Sequence, residues 1–457
     1  MKRISIIFSI LLLCGGIFFG YFWSQKAKTV TITDELPWFN PALLEIETGD
    51  TVKWELKAAV VHPIMSIEAP ESIRSGHFSN SWSYTFHTPG IYVYICPIHP
   101  YMKGIIGVDQ KIPEEKIPIW VKEWPPANVD IPGGIPTEKG SGEVWVATQF
   151  EQVTKKEKPG TITIVNAETW EVEAVLDDPS LNNPHNLWQV GKDILVTNWF
   201  DKFLSIFDKN TKKFLKKTYV GESVAHIHAH GDHEISATVQ GEDAMALLNQ
   251  DYEVSKKVRA PTGPHGHWMS ADGKLMALAS TEDGSFSLWD ATTQKMLFTD
   301  SLGDDSDGHG HNHTLPLMAG ITLDSKYSFV ATSGTGDFYV YDNVSQKRMK
   351  KFHIGNGPIQ TVPSPDGKYV FVPLTYDSAV AVISTETWEL TKVIENVGLG
   401  AHGVYFGEKQ NGGWYAYISN KFTNWLTVID LEKLEIAGYV PLGENAWGGQ
   451  GVLVVEE

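Results

Sequence analysis

The stretch Cys96-Pro97-Ile98-His99-Pro100-Tyr101-Met102 carries a thiolate, an imidazole and a thioether, and a second imidazole, His62, lies upstream. Two His and one Cys in a trigonal plane, with a weak axial Met, form the ligand set of a mononuclear blue copper site. Sulfur donors favour Cu(I) and imidazole suits both oxidation states, so little has to move when an electron arrives or leaves. The chemistry these residues could do is one-electron transfer.

Such ligands need strands to hold them. Gly49-Asp50-Thr51-Val52-Lys53-Trp54 reads as a turn followed by a strand. Thr85 to Gly90 reads as a turn before the strand Ile91-Tyr92-Val93-Tyr94-Ile95, and Lys103 to Val108 reads as a closing strand. With ligands and strands in this order, residues 29–110 resemble the cupredoxin family, of the plastocyanin and amicyanin type. All four ligand positions match: His62, Cys96, His99 and Met102. The resemblance implies a Greek-key β-sandwich holding one blue copper. The binuclear copper centre of respiratory oxidases needs two Cys in this loop, and only Cys96 is present.

The chain has 457 residues, 42 % of them apolar and 20 % charged, an ordinary globular balance with room for more than one domain. The net charge of −18 argues against binding nucleic acid and allows docking to a basic redox protein. Residues 4–23 form an apolar run behind Lys2 and Arg3, long enough to cross a bilayer as a helix. An N-terminal transmembrane helix over residues 1–28 is therefore expected, with the remainder facing the periplasm or cell exterior. A cleaved signal peptide is the competing reading. Cys14 falls in this run and Cys96 in the ligand loop, so no intrachain disulfide is expected. Residues 111–141 are rich in Pro and read as a stiff connector.

Beyond it, an apolar strand ending in a turn residue recurs seven times, starting at Ile162, Leu204, Met245, Phe286, Phe338, Val380 and Leu426. The spacings are 42, 41, 41, 52, 42 and 46 residues. A period near 42 with several strands per repeat predicts a seven-bladed β-propeller over residues 142–457. The first copy lacks an innermost strand, and Gly451-Val452-Leu453-Val454-Val455 at the other end is expected to supply it and close the ring. The predicted fold is thus all-β: transmembrane helix, cupredoxin sandwich, seven-bladed propeller.

Twelve of the 16 His lie in the repeats. His185, His226, His265 and His402 each fall at the start of an innermost strand, where side chains reach the mouth of the central channel. His228 and His267 follow two residues after their neighbours, on the same face of a regular strand. Converging imidazoles suit copper, zinc, iron or nickel. The longest spacing holds an inserted Asp/His segment whose His309, His311 and His313 could add ligands, form a lid, or act as a solvated metal-scavenging tract. His230 and His233 read as groups that orient the ligands or as loop residues, and His77, His87 and His353 as structural.

The combination resembles nitrous oxide reductase, in which a seven-bladed propeller with a His-ligated copper cluster is joined to a cupredoxin domain. The repeats also resemble the propeller group of the nitrite reductases. The shared residues are His185, His226, His265 and His402. Domain order is reversed here, the cupredoxin segment has a single Cys, and the repeats at Ile359 and Trp447 lack the His. No Cys-x-x-Cys-His haem attachment sequence occurs. The expected function is a membrane-anchored copper oxidoreductase, with blue copper exchanging electrons with a second copper or other transition metal in the propeller, a nitrogen oxide being one substrate. A cytochrome or another cupredoxin is the expected redox partner, and a homodimer is compatible. Two alternatives stand beside this: an electron-transfer protein whose propeller is only a docking platform, and a copper storage or delivery protein.

Overall fold

A computed structural model describes residues 28–33, 38–58, 62–75, 78, 80–96, 102–117, 130–149, 151, 153–154, 159–199, 201–230, 234–303, 314–443 and 446–455. The chain divides into two compact units, Met1–Trp124 and Pro125–Glu457.

The first unit contains two four-stranded sheets. Alternation along Thr51–Leu56 buries Val52 and Trp54, and Trp54 meets Tyr94 edge-on with ring centroids 5.5 Å apart. Period-2 burial of this kind gives each sheet one apolar face to cover. Two pairings are parallel: Lys28–Ile32 with Thr51–Leu56, and Leu43–Ile46 with Lys103–Val108.

The second unit is a β-propeller of seven four-stranded blades, two of them joined into one eight-stranded sheet by the pair Gly266 and Met318. Blade 2 shows the pattern, inner strand first: Pro184–Val190, Asp193–Asn198, Phe203–Asp208 and Phe214–Tyr219. The inner strands of blades 3 to 7 are Val224–His230, Pro264–Met269, Pro316–Ile321, Val362–Pro363 and Ala401–Glu408. Blade 1 takes its inner strand from the other end of the chain, Gly449–Val455, which pairs antiparallel with Glu143–Thr148 and closes the ring. Each middle strand is packed on both faces by neighbouring blades and so reads as a continuous apolar run, as in Ile194, Leu195 and Val196. The outermost strands carry the charge, as in the exposed Lys216 and Lys217 of Phe214–Tyr219.

One expectation changes. Among the described residues no helix is long and apolar enough to cross a membrane, and the helical residues are two three-residue 3₁₀ turns. The expected fold with a transmembrane helix is therefore corrected to an all-β one; the run over residues 4–23 lies outside the described residues. Run length is necessary for a span but does not make one, because leader segments share the same hydropathy. In addition, the last part of the Pro-rich stretch is bonded to the propeller: Tyr439 N–H donates to Gly134 O at 2.9 Å, and Tyr415 Oη donates to Glu138 O at 3.0 Å.

Candidate metal centre

The inner strands share one irregularity that sets the site. In blades 2, 3, 4, 7 and 1 the pairing register slips by one residue between Pro184 and Leu187, Val224 and Ile227, Pro264 and His267, Ala401 and Val404, and Gly449 and Val452. Such a bulge bends the strand and re-aims its side chains. His185, His226, His265 and His402 all sit within these bulges.

A buried hydroxyl on the next strand fixes the bulges of blades 2, 3 and 7. Thr238 Oγ1 accepts from His226 N–H at 2.9 Å and donates to His265 O in the next blade at 2.6 Å. Thr197 Oγ1 does the same between Asn186 N–H and Ala225 O, at 2.9 and 2.8 Å. Ser419 Oγ accepts from Gly403 N–H at 3.0 Å and donates to Gln450 O. One small polar side chain thus satisfies the unpaired amide of one blade and pins the bulge of the next. Thr238→Val should cost about 1–3 kcal/mol, the penalty of an orphaned buried amide. Urea denaturation would measure it, and a cost near zero would show that the bulge holds without the hydroxyl.

The result is a cluster. Ring nitrogens of His185, His226 and His265 all lie within 4.8 Å of one another. Ring centroids are 5.1 Å apart for His185 and His226, 4.9 Å for His226 and His265, and 6.0 Å for His185 and His402. His265 Nδ1 donates to Leu317 O at 2.8 Å, since a carbonyl can only accept. That bond fixes the tautomer and leaves the Nε2 lone pair facing the cluster, the arrangement usual for a metal-bound imidazole.

Burial pushes the His265 imidazole down to about 4 and His267 to about 3. It holds His185, His226, His228 and His402 well below the ordinary range, with mutual repulsion or the nearby Lys421 adding to the effect. All six are neutral at pH 7 and available as donors. Lys421, also buried, is itself held well below the usual ammonium range by desolvation. Trp199 lies against His185 with centroids 4.6 Å apart and the rings tilted by 31°.

Both ring nitrogens of His185 and of His228, His265 Nε2, His267 Nδ1 and His402 Nδ1 are buried without a protein hydrogen-bond partner. Native proteins leave only a few such atoms per hundred residues, and each costs about 1–3 kcal/mol. Neutral imidazoles with inward, unpaired nitrogens fit a transition-metal ion.

The bulges also separate residues that the sequence placed together. A bulge uses up one residue of alternation, so residues two apart across it no longer share a face. His267 occupies the register of Leu187 and Ile227, and its Nε2 meets Ser236 Oγ at 2.8 Å, in blade 3. His228 occupies the register of Trp188, Trp268 and Tyr405. It lies against Trp188 with centroids 3.8 Å apart, and 6.0 Å from His267. His230 Nε2 donates to Ala271 O at 2.8 Å. The position equivalent to His185 in blade 1 is Gln450, three residues beyond Trp447.

In the first unit, two antiparallel registers line up Met65, Ile95 and Lys103 in one row across adjacent strands. Cys96 and Met102 lie one residue outside that row and His62 three, all at the same end of the sheet. All three are buried, and Cys96 N–H donates to Met102 O at 3.2 Å, pinning the two ends of the ligand loop together. His99, His77, His233, His309, His311 and His313 lie outside the described residues.

Sequence reasoning missed Lys421, Trp199, Gln450 and the Leu317 carbonyl. Each comes from a neighbouring blade or from a residue type with no ligand signature. The signal available was positional, since Gln450 falls at the His register once the last strand is placed in blade 1.

The neutral histidines also set a pH dependence. A His whose folded pKa is depressed gives stability that is complete above its unfolded value near 6.5 and is lost as pH falls below it, because the unfolded chain then binds the extra proton. For His265 the loss runs from about 6.5 down to about 4, and for His267 down to about 3. Each such residue contributes at most about 1.4 kcal/mol per pH unit. The metal-free chain should lose thermal stability steeply between pH 7 and 5, less steeply in His228→Leu; equal slopes would contradict this.

No family model matches the chain. Among solved structures, a protein of unknown function from Desulfotomaculum acetoxidans is 15 % identical, with a TM-score of 0.54 over 69 % of this chain and 99 % of that one. A putative 6-phosphogluconolactonase from Bacteroides uniformis is also 15 % identical, with a TM-score of 0.53 over 69 % of this chain and all 100 % of its own. Hydrazine synthase of Kuenenia stuttgartiensis is 19 % identical, with a TM-score of 0.47 over 56 % and 78 %. The neighbours are β-propeller-like proteins, and the likeness extends to the fold alone.

Proposed function

We propose that the chain is a copper-dependent oxidoreductase. Its N-terminal unit is of cupredoxin type and holds one mononuclear copper at His62, Cys96, His99 and Met102. Its propeller holds a transition metal at His185, His226 and His265, with His402 beside them. The observation carrying the reading is the cluster of three buried imidazoles with donor atoms within 4.8 Å of one another. A docking platform gives these histidines no role.

Copper in the propeller would supply a Lewis-acidic, redox-exchanging position for a small oxygen- or nitrogen-containing substrate, a nitrogen oxide being the class in view. The chain's own residues do the rest. Leu317 O orients His265, and burial keeps the imidazoles neutral as donors. Trp199 covers His185. Lys421 lies buried beside the imidazoles, its amine held well below the usual ammonium range by desolvation. A cytochrome or second cupredoxin would exchange electrons with the N-terminal copper.

Metal analysis with visible and paramagnetic-resonance spectra of the full chain tests this. Wild type should hold copper in both units and show an intense thiolate charge-transfer band. Cys96→Ser should lose that band and about one copper per chain while the propeller metal stays. A single metal in wild type, lost entirely in Cys96→Ser, would overturn the propeller centre.

A further inference from the structure

A second group of soft donors lies apart from the imidazoles. Three of the nine methionines, Met245, Met269 and Met276, line one cavity of about 240 Å³ between blades 3 and 4. All three are buried and belong to one packed cluster with Trp289. Met269 and Met276 are direct partners across an antiparallel pair, so their side chains leave the same face with Cβ atoms about 5 Å apart. Met245 reaches the cavity from the neighbouring blade. Methionine ordinarily fills irregular gaps in a core, whereas these three border open volume.

The surroundings suit a cation. Asp290 lines the same cavity, and hydrogen bonds from Thr293 hold its carboxyl below the usual range, so it is charged. Ser236 also lines it, with Oγ 3.9 Å from Met269 Sδ and 2.8 Å from His267 Nε2. Ser236 therefore links Met269 to His267, the imidazole that lies between blades 3 and 4.

We infer that this cavity binds one monovalent copper ion through the thioethers of Met245, Met269 and Met276. Thioether sulfur is a soft donor that selects Cu(I) over divalent ions. The site shares no ligand with either copper centre proposed above, and the inference stands on the sulfurs, so it survives failure of the oxidoreductase reading.

The full chain, labelled with carbon-13 in its methionine methyls, would be titrated with Ag(I) as a redox-inert stand-in for Cu(I). Three resonances, assigned through the single Met→Leu variants, should shift together and saturate at one Ag(I) per chain, separately from Met102. In the double variant Met269→Leu/Met276→Leu, the Met245 methyl should report binding at least tenfold weaker. Leu conserves volume and should leave the circular dichroism unchanged. The three shifts should persist in His185→Ala/His226→Ala, which removes propeller imidazoles alone. If the three methyls stay still while that of Met102 moves, they are core packing and the inference falls.

Discussion

His226→Ala should release the propeller metal while the rest of the fold stays in place. His226 is the middle member of the cluster, with its ring centroid 5.1 Å from His185 and 4.9 Å from His265. Its removal leaves two of the three mutually close donors. The affinity lost should exceed the roughly 10–100-fold that removal of an outer hydrogen-bond partner costs, so about 100-fold or more is expected. The backbone should tolerate the change, because Thr238 holds residue 226 through its amide and not its ring. Competition with a chelator of known affinity would measure the loss, and circular dichroism would show the retained sheet. Unchanged affinity would place the metal elsewhere.

Gly266→Ala should be the most damaging substitution of a residue that offers no donor. A Cβ at Gly266 would sit 2.3 Å from Leu317 O and 2.6 Å from Met318 Sδ. The sulfur belongs to a flexible side chain, but the carbonyl is backbone and cannot yield without parting the two blades. The two inner strands pair here, Gly266 against Met318. A cost of about 2–4 kcal/mol is expected, in the range for overpacking a core. The same carbonyl is the acceptor for His265 Nδ1, so the variant should also bind metal more weakly although every ligand is intact. Gly134→Ala is the control, since nothing lies within 4 Å of a Cβ there. Equal melting temperatures for the two variants would contradict the account.

The two outcomes separate donor chemistry from positioning. His226→Ala removes a ligand and spares the frame. Gly266→Ala spares the ligands and moves the frame that aims one of them.

The sequence by itself determined the repeat and its count, because strand period, β-branched content and turn residues act locally. The seven recurrent strands from Ile162 to Leu426 are all third strands of blades, and the missing inner strand of blade 1 is Gly449–Val455. It also put His185, His226, His265 and His402 on inner strands, and put Cys96 and Met102 at the two ends of one loop. The apolar run over residues 4–23 was legible only as a length, and length did not decide its structure. Tertiary structure decided which way the histidines point. The bulge at His226 is fixed by the Thr238 hydroxyl, which also reaches His265 in the next blade, and no periodicity within one strand encodes that. Because each bulge shifts the alternation by one, His228 joins Trp188 in the channel while His267 turns toward Ser236 between blades. Lys421, Gln450 and Leu317 O reach the cluster only because the closed ring brings blades 1, 5 and 7 against blades 2 to 4.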